Sequence, residues 1–294
     1  MSIAAAPQTV RQRYARVLRH SVSTRGMEVC ALQAAPLLGA RLGGLGLHGG
    51  NLSRLGLLLI GSTALTAHAF LFNDWADYTR DTRDLRRARL SVDGSIGRDQ
   101  IARVAIVLLI LAGMALAAVG TSAVLFGAGI AALSILYSFS RLGKSTPIAA
   151  SLDHLIGGAL LFLLGYSVGR AVDATGIVLS LVFGLVFAAG HLNQEVRDYE
   201  FDLINGIGTV AVRFGCRRGF LASFCLFTTA YLLIVGLAAL GVLAKILFAS
   251  AVLWLLQARW SLQAVRRGLG SETAVWIQDR YRLLFALVGL AMLL

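Results

Sequence analysis

The stretch Asn73-Asp74-Trp75-Ala76-Asp77-Tyr78-Thr79-Arg80-Asp81 directly follows an apolar run, 53–73, that is long enough to cross a membrane. A second stretch, Asn193-Gln194-Glu195-Val196-Arg197-Asp198-Tyr199-Glu200-Phe201-Asp202, follows another apolar run at 173–192. We call 73–81 the first acidic turn and 193–202 the second acidic turn. Together they hold nearly half of the 15 acidic residues in the chain. Because a charge at the centre of a membrane helix costs about 2.5–3.5 kcal/mol, such residues usually have a function.

The composition indicates an integral membrane protein. Of 294 residues, 57% are hydrophobic and 14% are charged, whereas soluble domains average about 25% charged residues. The net charge of +12 does not indicate nucleic-acid binding, because the basic residues lie in short runs between apolar segments. The three cysteines have no spacing typical of metal ligands, and we expect no disulfide framework.

The apolar pattern predicts an all-α, polytopic membrane protein with about nine transmembrane helices. A spanning helix needs about 20 mostly apolar residues, and no linker-like run of Pro, Gly or Ser divides the chain. We therefore expect a cytoplasmic N-terminal segment at 1–26 and a single transmembrane domain at 27–294. The predicted helices are 27–47, 53–73, 101–119, 121–139, 147–168, 173–192, 218–238, 241–258 and 280–294.

The distribution of Lys and Arg predicts the orientation of these segments. With the nine helices alternating in direction, 23 basic residues fall on one side of the membrane and 4 on the other. Cytoplasmic loops carry the excess of positive charge in membrane proteins. We therefore expect the N-terminus and both acidic turns in the cytoplasm, the C-terminus on the opposite side, and a location in a bacterial inner membrane.

The spacing of the acidic residues predicts a metal site. Asn73, Asp77 and Asp81 follow i, i+4, i+8, and Glu195, Asp198 and Asp202 follow i, i+3, i+7, so each set would lie along one face of a helix. Stacked carboxylates repel one another unless a cation lies between them. Oxygen ligands favour Mg²⁺, which binds through one or two carboxylates together with substrate phosphates. The alternative is that these charges are solvated and only offset nearby arginines.

The two acidic turns resemble the signatures of the UbiA superfamily of intramembrane prenyltransferases. Asn73-Asp74-x-x-Asp77-x-x-x-Asp81 is similar to the first signature. Asp198-x-x-x-Asp202, followed by 206–215, is similar to the second signature and its downstream segment. Two departures are visible: Gly208 stands where many members have Lys or Arg, and the loop at Arg89-Leu90 lacks the proline of the usual Arg-Pro-Leu.

The resemblance implies a helical bundle around a central cavity that opens sideways to lipid. A prenyl diphosphate would bind there through Mg²⁺, ionise to an allylic carbocation and react with an acceptor. The resemblance assigns Asn73, Asp77 and Asp81 to the first ligand set and Asp198 and Asp202 to the second. The four aspartates would be the catalytic groups, Asn73 would also contact the diphosphate, and Asp74 would point away.

Residues in two predicted cytoplasmic loops, 74–100 and 140–146, and at the end of the predicted helix 121–139 are candidates for binding the diphosphate. Tyr137 and Arg141 resemble the Tyr-x-x-x-Lys pattern of the family, and Arg141 could bind phosphate oxygens bidentately. Lys144 would add a point charge, and Arg89 is a further candidate. The alternative is an interfacial aromatic anchor beside topological charges. For Arg197, which points about 100° away from Asp198 on a helix, we expect contact with Glu195 or water.

Polar residues within predicted helices are candidates for binding the acceptor. Asp153 and His154 lie in the first two turns of the fifth predicted helix, and Asn193 begins the second acidic turn. A buried Asp or His could position an acceptor or take its proton, although a histidine in a helix is often only a packed polar residue.

Three functions fit these observations. The first is Mg²⁺-dependent transfer of a prenyl group from a prenyl diphosphate to an aromatic or other lipophilic acceptor, with release of diphosphate. The second is a membrane terpene cyclase that uses the same metal and diphosphate site. The third is a transporter or binding protein for cations. The sequence alone identifies neither the acceptor nor the length of the prenyl chain.

Overall fold

The computed structural model describes residues 10–46, 48–81, 96–139, 143 and 145–294, with the backbone alone at 10, 11, 13, 80 and 81. Twelve α-helices and one 3₁₀ helix occur in this part of the chain, and it contains no β-strand. The helices are α1 (Val10–Leu32), α2 (Ala34–Leu42), α3 (Gly50–Asp81), α4 (Arg98–Val119), α5 (Thr121–Phe139), α6 (Pro147–Gly169), α7 (Ala174–Arg197), α8 (Tyr199–Ile204), α9 (Val210–Phe214), α10 (Cys216–Ala239), α11 (Ser250–Arg267) and α12 (Ser271–Leu293). The 3₁₀ helix spans Lys245–Ala249.

The all-α class is confirmed, but the count of nine spanning helices is not. Within the described residues, six helices are long and apolar enough to cross a membrane: α3, α4, α5, α6, α7 and α10. At the predicted segments 27–47, 241–258 and 280–294, the helices of the structure have different bounds. α2 has only nine residues, α11 begins at Ser250 and α12 begins at Ser271. α1 also runs across the predicted boundary between 26 and 27.

The break between α1 and α2 has a local cause. Pro36 lacks the N–H that would continue a helix bond to Leu32, so a single helix across this point is disfavoured. Gln33 lies at the break and is held by α3: its Nε2 donates to the Thr66 hydroxyl at 3.1 Å, and its Oε1 accepts from the Ser62 hydroxyl at 2.6 Å. These polar bonds fix the point where the chain changes direction inside an apolar bundle.

Glycines bring α2 and α6 into close contact. A Cβ added at Gly39 would overlap the carbonyl oxygen of Phe162, and one added at Gly165 would overlap the carbonyl oxygen of Pro36. Small residues at interfaces let helix backbones approach closely in membranes, where lipid supplies no hydrophobic force between helices. The short α2 is thereby held as a fixed wall beside α6.

The helices surround one large cavity. α3 packs on α4, α6 packs on α7, and α7 packs in turn on α10. Apolar side chains on the outer face of α4, such as Ile106, Ile110 and Met114, remain exposed, as expected of a surface that faces lipid. The cavity has a volume of about 820 Å³ and is lined mainly by α1, α2, α3, α5, α6, α7 and α12.

Candidate functional site

The first acidic turn lines one end of the cavity. α3 continues without a break from its apolar run to Asp81, so Asn73 and Asp77, four residues apart, both face the cavity. Asp77 is buried, and Asn73 Oδ1 is buried without a hydrogen-bond partner. A buried oxygen left without a donor is costly unless a ligand or ion satisfies it. The helical spacing predicted from the sequence therefore corresponds to a shared face.

Asp74 belongs to the same turn but has a different neighbour. It is buried and does not line the cavity. Its Oδ1 lies 3.8 Å from Nη2 of Arg25 on α1. The Arg25 guanidinium also lies over the ring of Phe70, 5.2 Å from its centroid. Asp74 and Arg25 thus link α1 to α3 beside the cavity.

The second acidic turn brings Asp198 and Asp202 to the same cavity, although not on one continuous helix. α7 ends at Arg197, and Asp198 has φ −93° and ψ 7° before α8 begins at Tyr199. The second turn is therefore not one unbroken helix, although Glu195, Asp198 and Asp202 all line the cavity as the shared face predicted. The Asp202 N–H still donates to the Asp198 carbonyl at 2.9 Å, as in a helix, so the two residues are one helical turn apart.

Arg197 does not behave as the sequence predicted. Its Nε and Nη2 both donate to the Asp198 carboxylate, each at 3.1 Å, instead of contacting Glu195 or water alone. The backbone is still helical at this step, since the Asp198 N–H donates to the Gln194 carbonyl at 2.9 Å, but the long Arg197 side chain spans the separation to its neighbour. Bidentate pairs of this kind fix the orientation of a carboxylate.

Glu195 lines the cavity with Asp198, but one of its two carboxylate oxygens has a structural contact. Its Oε2 accepts the backbone N–H of Val210 at 2.8 Å and that of Ala211 at 3.4 Å. These are orphan donors at the first turn of α9, where a carboxylate is favourable. Glu195 Oε1 lies 3.0 Å from His191 Nε2 without the angle of a hydrogen bond, so that contact is only an electrostatic approach. The side chain that the spacing grouped with the metal ligands therefore anchors the segment after the second turn.

The donor set of the two turns fits Mg²⁺ bound together with a phosphate ligand. Within the described part of the chain, no three His, Cys, Asp or Glu side chains converge closely enough to hold a metal ion by themselves. Mg²⁺ typically keeps several waters and uses one or two carboxylates plus substrate phosphates. Asp77, Asp198, Asp202 and the orphan oxygen of Asn73 offer only oxygen donors on the same cavity.

A group of stacked rings lines the cavity on the side of α5 and α6. The rings of His154 and His191 are parallel, with centroids 3.8 Å apart and an interplanar angle of 10°. Tyr137 meets His154 edge to face at 5.2 Å. His154 Nδ1 donates to the Ala150 carbonyl at 2.9 Å, since a carbonyl can only accept. The sequence singled out Tyr137 and His154 separately, but nothing in it indicated that His191 stacks on His154.

The other two acceptor candidates also line the cavity. Asp153 lies beside His154 on α6 and is partly buried. Asn193 is 1% exposed, and neither Nδ2 nor Oδ1 of its amide has a hydrogen-bond partner. Both members of the Asp153-His154 pair reach the cavity, although adjacent residues on a helix point in different directions. The cavity is wide enough to be lined by more than one face of α6.

Four of the predicted site residues cannot be placed by their side chains. Arg89, Arg141 and Lys144 lie outside the described residues. Asp81 is the last residue of α3, and its side chain also lies outside them.

The structure adds cavity residues that the sequence did not single out as a site. Arg282 on α12 lines the cavity, and its Nη2 lies 3.7 Å from Glu28 Oε1 on α1. Gly157 on α6 and Gly190 on α7 also line it, and a Cβ at either position would meet no atom within 4 Å. A glycine that leaves open space in a cavity wall looks, in the sequence, like any glycine in a membrane helix.

Solved structures with the same architecture come from UbiA homologues. One from Archaeoglobus fulgidus, bound to GPP and Mg²⁺, has a TM-score of 0.70 and 19% sequence identity, with 96% of this chain and 99% of that chain covered. The apo homologue from Aeropyrum pernix K1 has a TM-score of 0.70 and 17% identity, covering 90% and 95% of the two chains. A structure of digeranylgeranylglyceryl phosphate synthase has a TM-score of 0.69 and 16% identity over 96% and 97%.

These identities are low, so the structural likeness concerns the fold. No curated protein sequence matches the chain. The sequence model of the UbiA prenyltransferase family, however, matches residues 37–289, which include both acidic turns and most of the residues that line the cavity. The chain is an integral membrane protein that belongs to the UbiA prenyltransferase family.

Proposed function

We propose that this protein transfers a prenyl group from a prenyl diphosphate to an aromatic or other lipophilic acceptor within the membrane. The observation that carries the proposal is that two acidic turns from separate helices line the same cavity, whose remaining wall is largely apolar. A prenyl diphosphate has the same two parts, a polyanionic head and an apolar chain. The family membership supports the same reaction class.

We infer that Asn73, Asp77 and Asp81 on the first turn and Asp198 and Asp202 on the second hold Mg²⁺ with the diphosphate. Homologues from Archaeoglobus fulgidus bind GPP or DMAPP together with Mg²⁺, which supports this assignment. Bound Mg²⁺ would neutralise the negative charge that the leaving diphosphate gains. The catalytic role of the four aspartates is to place that charge compensation at one end of the cavity.

The protein's own residues would orient the substrate and exclude water. We assign diphosphate contacts to Asn73, Tyr137, Arg141, Lys144 and Arg89, of which the last three lie outside the described residues. The apolar walls around the prenyl group would keep water away from a carbocation. Nearby aromatic rings can stabilise positive charge through their faces. Phe70, Phe183 and Phe187 line the cavity and could serve in this way.

The polar residues in the α6 and α7 walls favour a transferase over the cyclase alternative. Asp153, His154 and Asn193 bring hydrogen-bonding groups to the cavity, and the Asn193 amide lacks a partner among the described residues. A cyclase needs an inert wall around a folding hydrocarbon, whereas an acceptor with a polar head needs partners. We therefore propose that these three residues bind the acceptor.

We also propose an orientation of the protein in the membrane. The excess of basic residues near both acidic turns supports a cytoplasmic diphosphate site, with the C-terminus on the opposite side and a bacterial inner membrane as the location.

The test is release of inorganic diphosphate by the full-length protein in lipid vesicles. Several prenyl diphosphates are supplied with Mg²⁺, with and without candidate acceptors, and the products are identified by mass spectrometry. Acceptor-dependent release with a prenylated product supports the proposal. Release without acceptor and with a cyclised product supports a cyclase, and no release under any Mg²⁺ condition overturns both enzymatic functions.

A further inference from the structure

The charges around the cavity indicate what kind of acceptor it can take. Three described arginines line it, and each already faces a carboxylate. The pairs are Arg197 with Asp198 at 3.1 Å, Arg282 with Glu28 at 3.7 Å and Arg25 with Asp74 at 3.8 Å. In the protein without bound metal, therefore, every described arginine that lines the cavity already faces a carboxylate.

Asp153 differs from the acids in these pairs. It lines the cavity, is partly buried, and forms no ion pair with a described residue. It also lies outside both acidic turns, so it belongs to neither proposed metal-ligand set. A carboxylate in this position attracts a hydrogen-bond donor and repels a second anion.

Open space lies beside Asp153. Gly157 follows it by one helical turn on α6 and lines the same cavity, and a Cβ at Gly157 would meet no atom within 4 Å. This leaves a hollow one helical turn from Asp153, of the kind that a ring or a branched group could fill.

A second observation points to a ligand with a neutral polar group. The Asn193 side chain is 1% exposed and lines the cavity, yet both its amide nitrogen and its amide oxygen lack partners. A neutral amide donates and accepts, so it matches a hydroxyl group, which also does both. It supplies no charge that could balance a carboxylate on the ligand.

We propose that the acceptor is an uncharged, hydroxyl-bearing lipophilic molecule, most simply a phenol-type ring, whose hydroxyl binds near Asp153 beside the Gly157 hollow. Acceptors that carry a carboxylate are rejected. This inference rests on the proposed prenyl transfer and names the substrate class for it.

The experiment compares acceptors that differ only in charge. The full-length protein in vesicles receives GPP, Mg²⁺ and either 4-hydroxybenzoate or its methyl ester, and, in a second pair, a hydroxynaphthoate or its methyl ester. We expect kcat/KM for each ester to exceed that for its free acid by about tenfold or more, because the Asp153 carboxylate repels a second anion. Equal use of both, preference for the acids, or failure of both esters overturns the inference.

Asp153→Asn separates charge from the greater membrane solubility of an ester. The substitution removes the charge and leaves the partitioning of both acceptors unchanged, so we expect the ester-to-acid ratio to fall about tenfold. Glu272→Gln, which removes an exposed carboxylate on α12, is the matched control and should leave the ratio unchanged. An unchanged ratio in Asp153→Asn, with the protein folded, contradicts the role of Asp153.

Gly157→Leu tests the hollow. The added side chain should raise KM for the naphthyl ester more than for the phenyl ester, because it fills the space that the larger ring needs. Gly113→Leu places the same side chain on the exposed face of α4, where a Cβ also meets no atom within 4 Å, and should change neither KM. Equal effects of the two substitutions would show that the hollow does not receive the acceptor.

The outcomes distinguish this inference from the proposed function. Mg²⁺-dependent diphosphate release with a preference for free acids would overturn the charge argument and leave prenyl transfer standing. Absence of any Mg²⁺-dependent release would overturn the proposed function itself.

Discussion

The first and second acidic turns have similar sequences and use their carboxylates differently. In the first turn, α3 continues to Asp81, and Asn73 and Asp77 share one face toward the cavity. In the second, the helix ends at Arg197, and Glu195 is used to hold the start of α9. The spacing of acidic residues therefore indicates where ligands can lie, but the carboxylates of one turn can divide between a site and the fold.

The largest expected effect comes from removing one proposed ligand from each turn. Asp77→Asn and Asp198→Asn should each lower kcat for diphosphate release on the order of 10³-fold, as loss of a group that stabilises developing charge does in other enzymes. The thermal unfolding midpoint in detergent should change little, because these side chains face the cavity instead of packing in the apolar core. The measurements are steady-state diphosphate release against Mg²⁺ concentration and a thermal melt.

The matched control is Glu200→Gln. Glu200 belongs to the second acidic turn but is exposed and does not line the cavity. Its substitution should leave kcat within about twofold, as expected of a surface site away from the chemistry. Full activity in Asp77→Asn or Asp198→Asn would contradict a site built from both turns.

The next effect tests the contrast within the second turn. Glu195→Ala should leave the buried N–H groups at the start of α9 without an acceptor, which costs about 1–3 kcal/mol in the free energy of unfolding. The unfolding midpoint should fall by several degrees. Glu195→Gln keeps one side-chain oxygen for the Val210 N–H and should recover much of the loss.

Stability and activity together decide between the two uses of these acids. If Glu195→Ala lowers the midpoint and Asp198→Asn lowers only turnover, the division between fold and site holds. If Glu195→Ala keeps the midpoint but changes the Mg²⁺ concentration at half-maximal activity, Glu195 is a ligand and the division fails.

The sequence predicted the first turn better than the second for a physical reason. At Asn73 and Asp77 the helical spacing is enough to place both side chains on the cavity, because the apolar helix continues through the polar residues. At Asp198 the chain leaves helical geometry, and the contacts that follow, such as Glu195 with the Val210 N–H, join residues 15 positions apart. Local spacing does not contain such contacts.

The fold shows the same limit. Hydropathy located the centres of most helices, including α4 and α5 on either side of Gly120. It did not predict the break before Pro36, because hydropathy registers neither the backbone N–H that proline lacks nor the bonds from Gln33 to α3. The stacking of His154 on His191 likewise depends on how α6 packs on α7, which neither residue's neighbours in the sequence reveal.

A smaller effect concerns the cation that holds Asp198. Arg197→Gln removes the guanidinium that binds the Asp198 carboxylate at 3.1 Å and competes there with Mg²⁺. The pair is partly exposed, and exposed pairs contribute about 0.2–1 kcal/mol. We expect the Mg²⁺ concentration at half-maximal activity to fall about two- to fivefold. A rise in that concentration would show that Arg197 positions Asp198 for the metal instead of competing with it.

The smallest expected effect lies at the opposite end of α7 from Asp198. Asp173 caps this end: its carboxylate accepts the Gly176 N–H at 2.8 Å and the Tyr166 hydroxyl at 2.9 Å. These bonds, the Gly176 N–H first, lower the pKa of Asp173 below its ordinary value. A carboxyl with a lowered pKa in the folded state stabilises that state above the unfolded pKa, near 3.9. This contribution is lost as the pH falls through the folded pKa.

Asp173→Ala should therefore lower the unfolding midpoint slightly at pH 7, and the difference from the unsubstituted protein should shrink as the pH falls below about 4. Because a capping carboxylate far from the proposed site binds no substrate, kcat should be unchanged at pH 7. Thermal melts between pH 3 and 7, run beside diphosphate release, measure both. A loss of turnover as large as that of Asp198→Asn would mean that the two ends of α7 are not independent, and that the orientation of the whole helix, more than the ligands at its cavity end, limits the reaction.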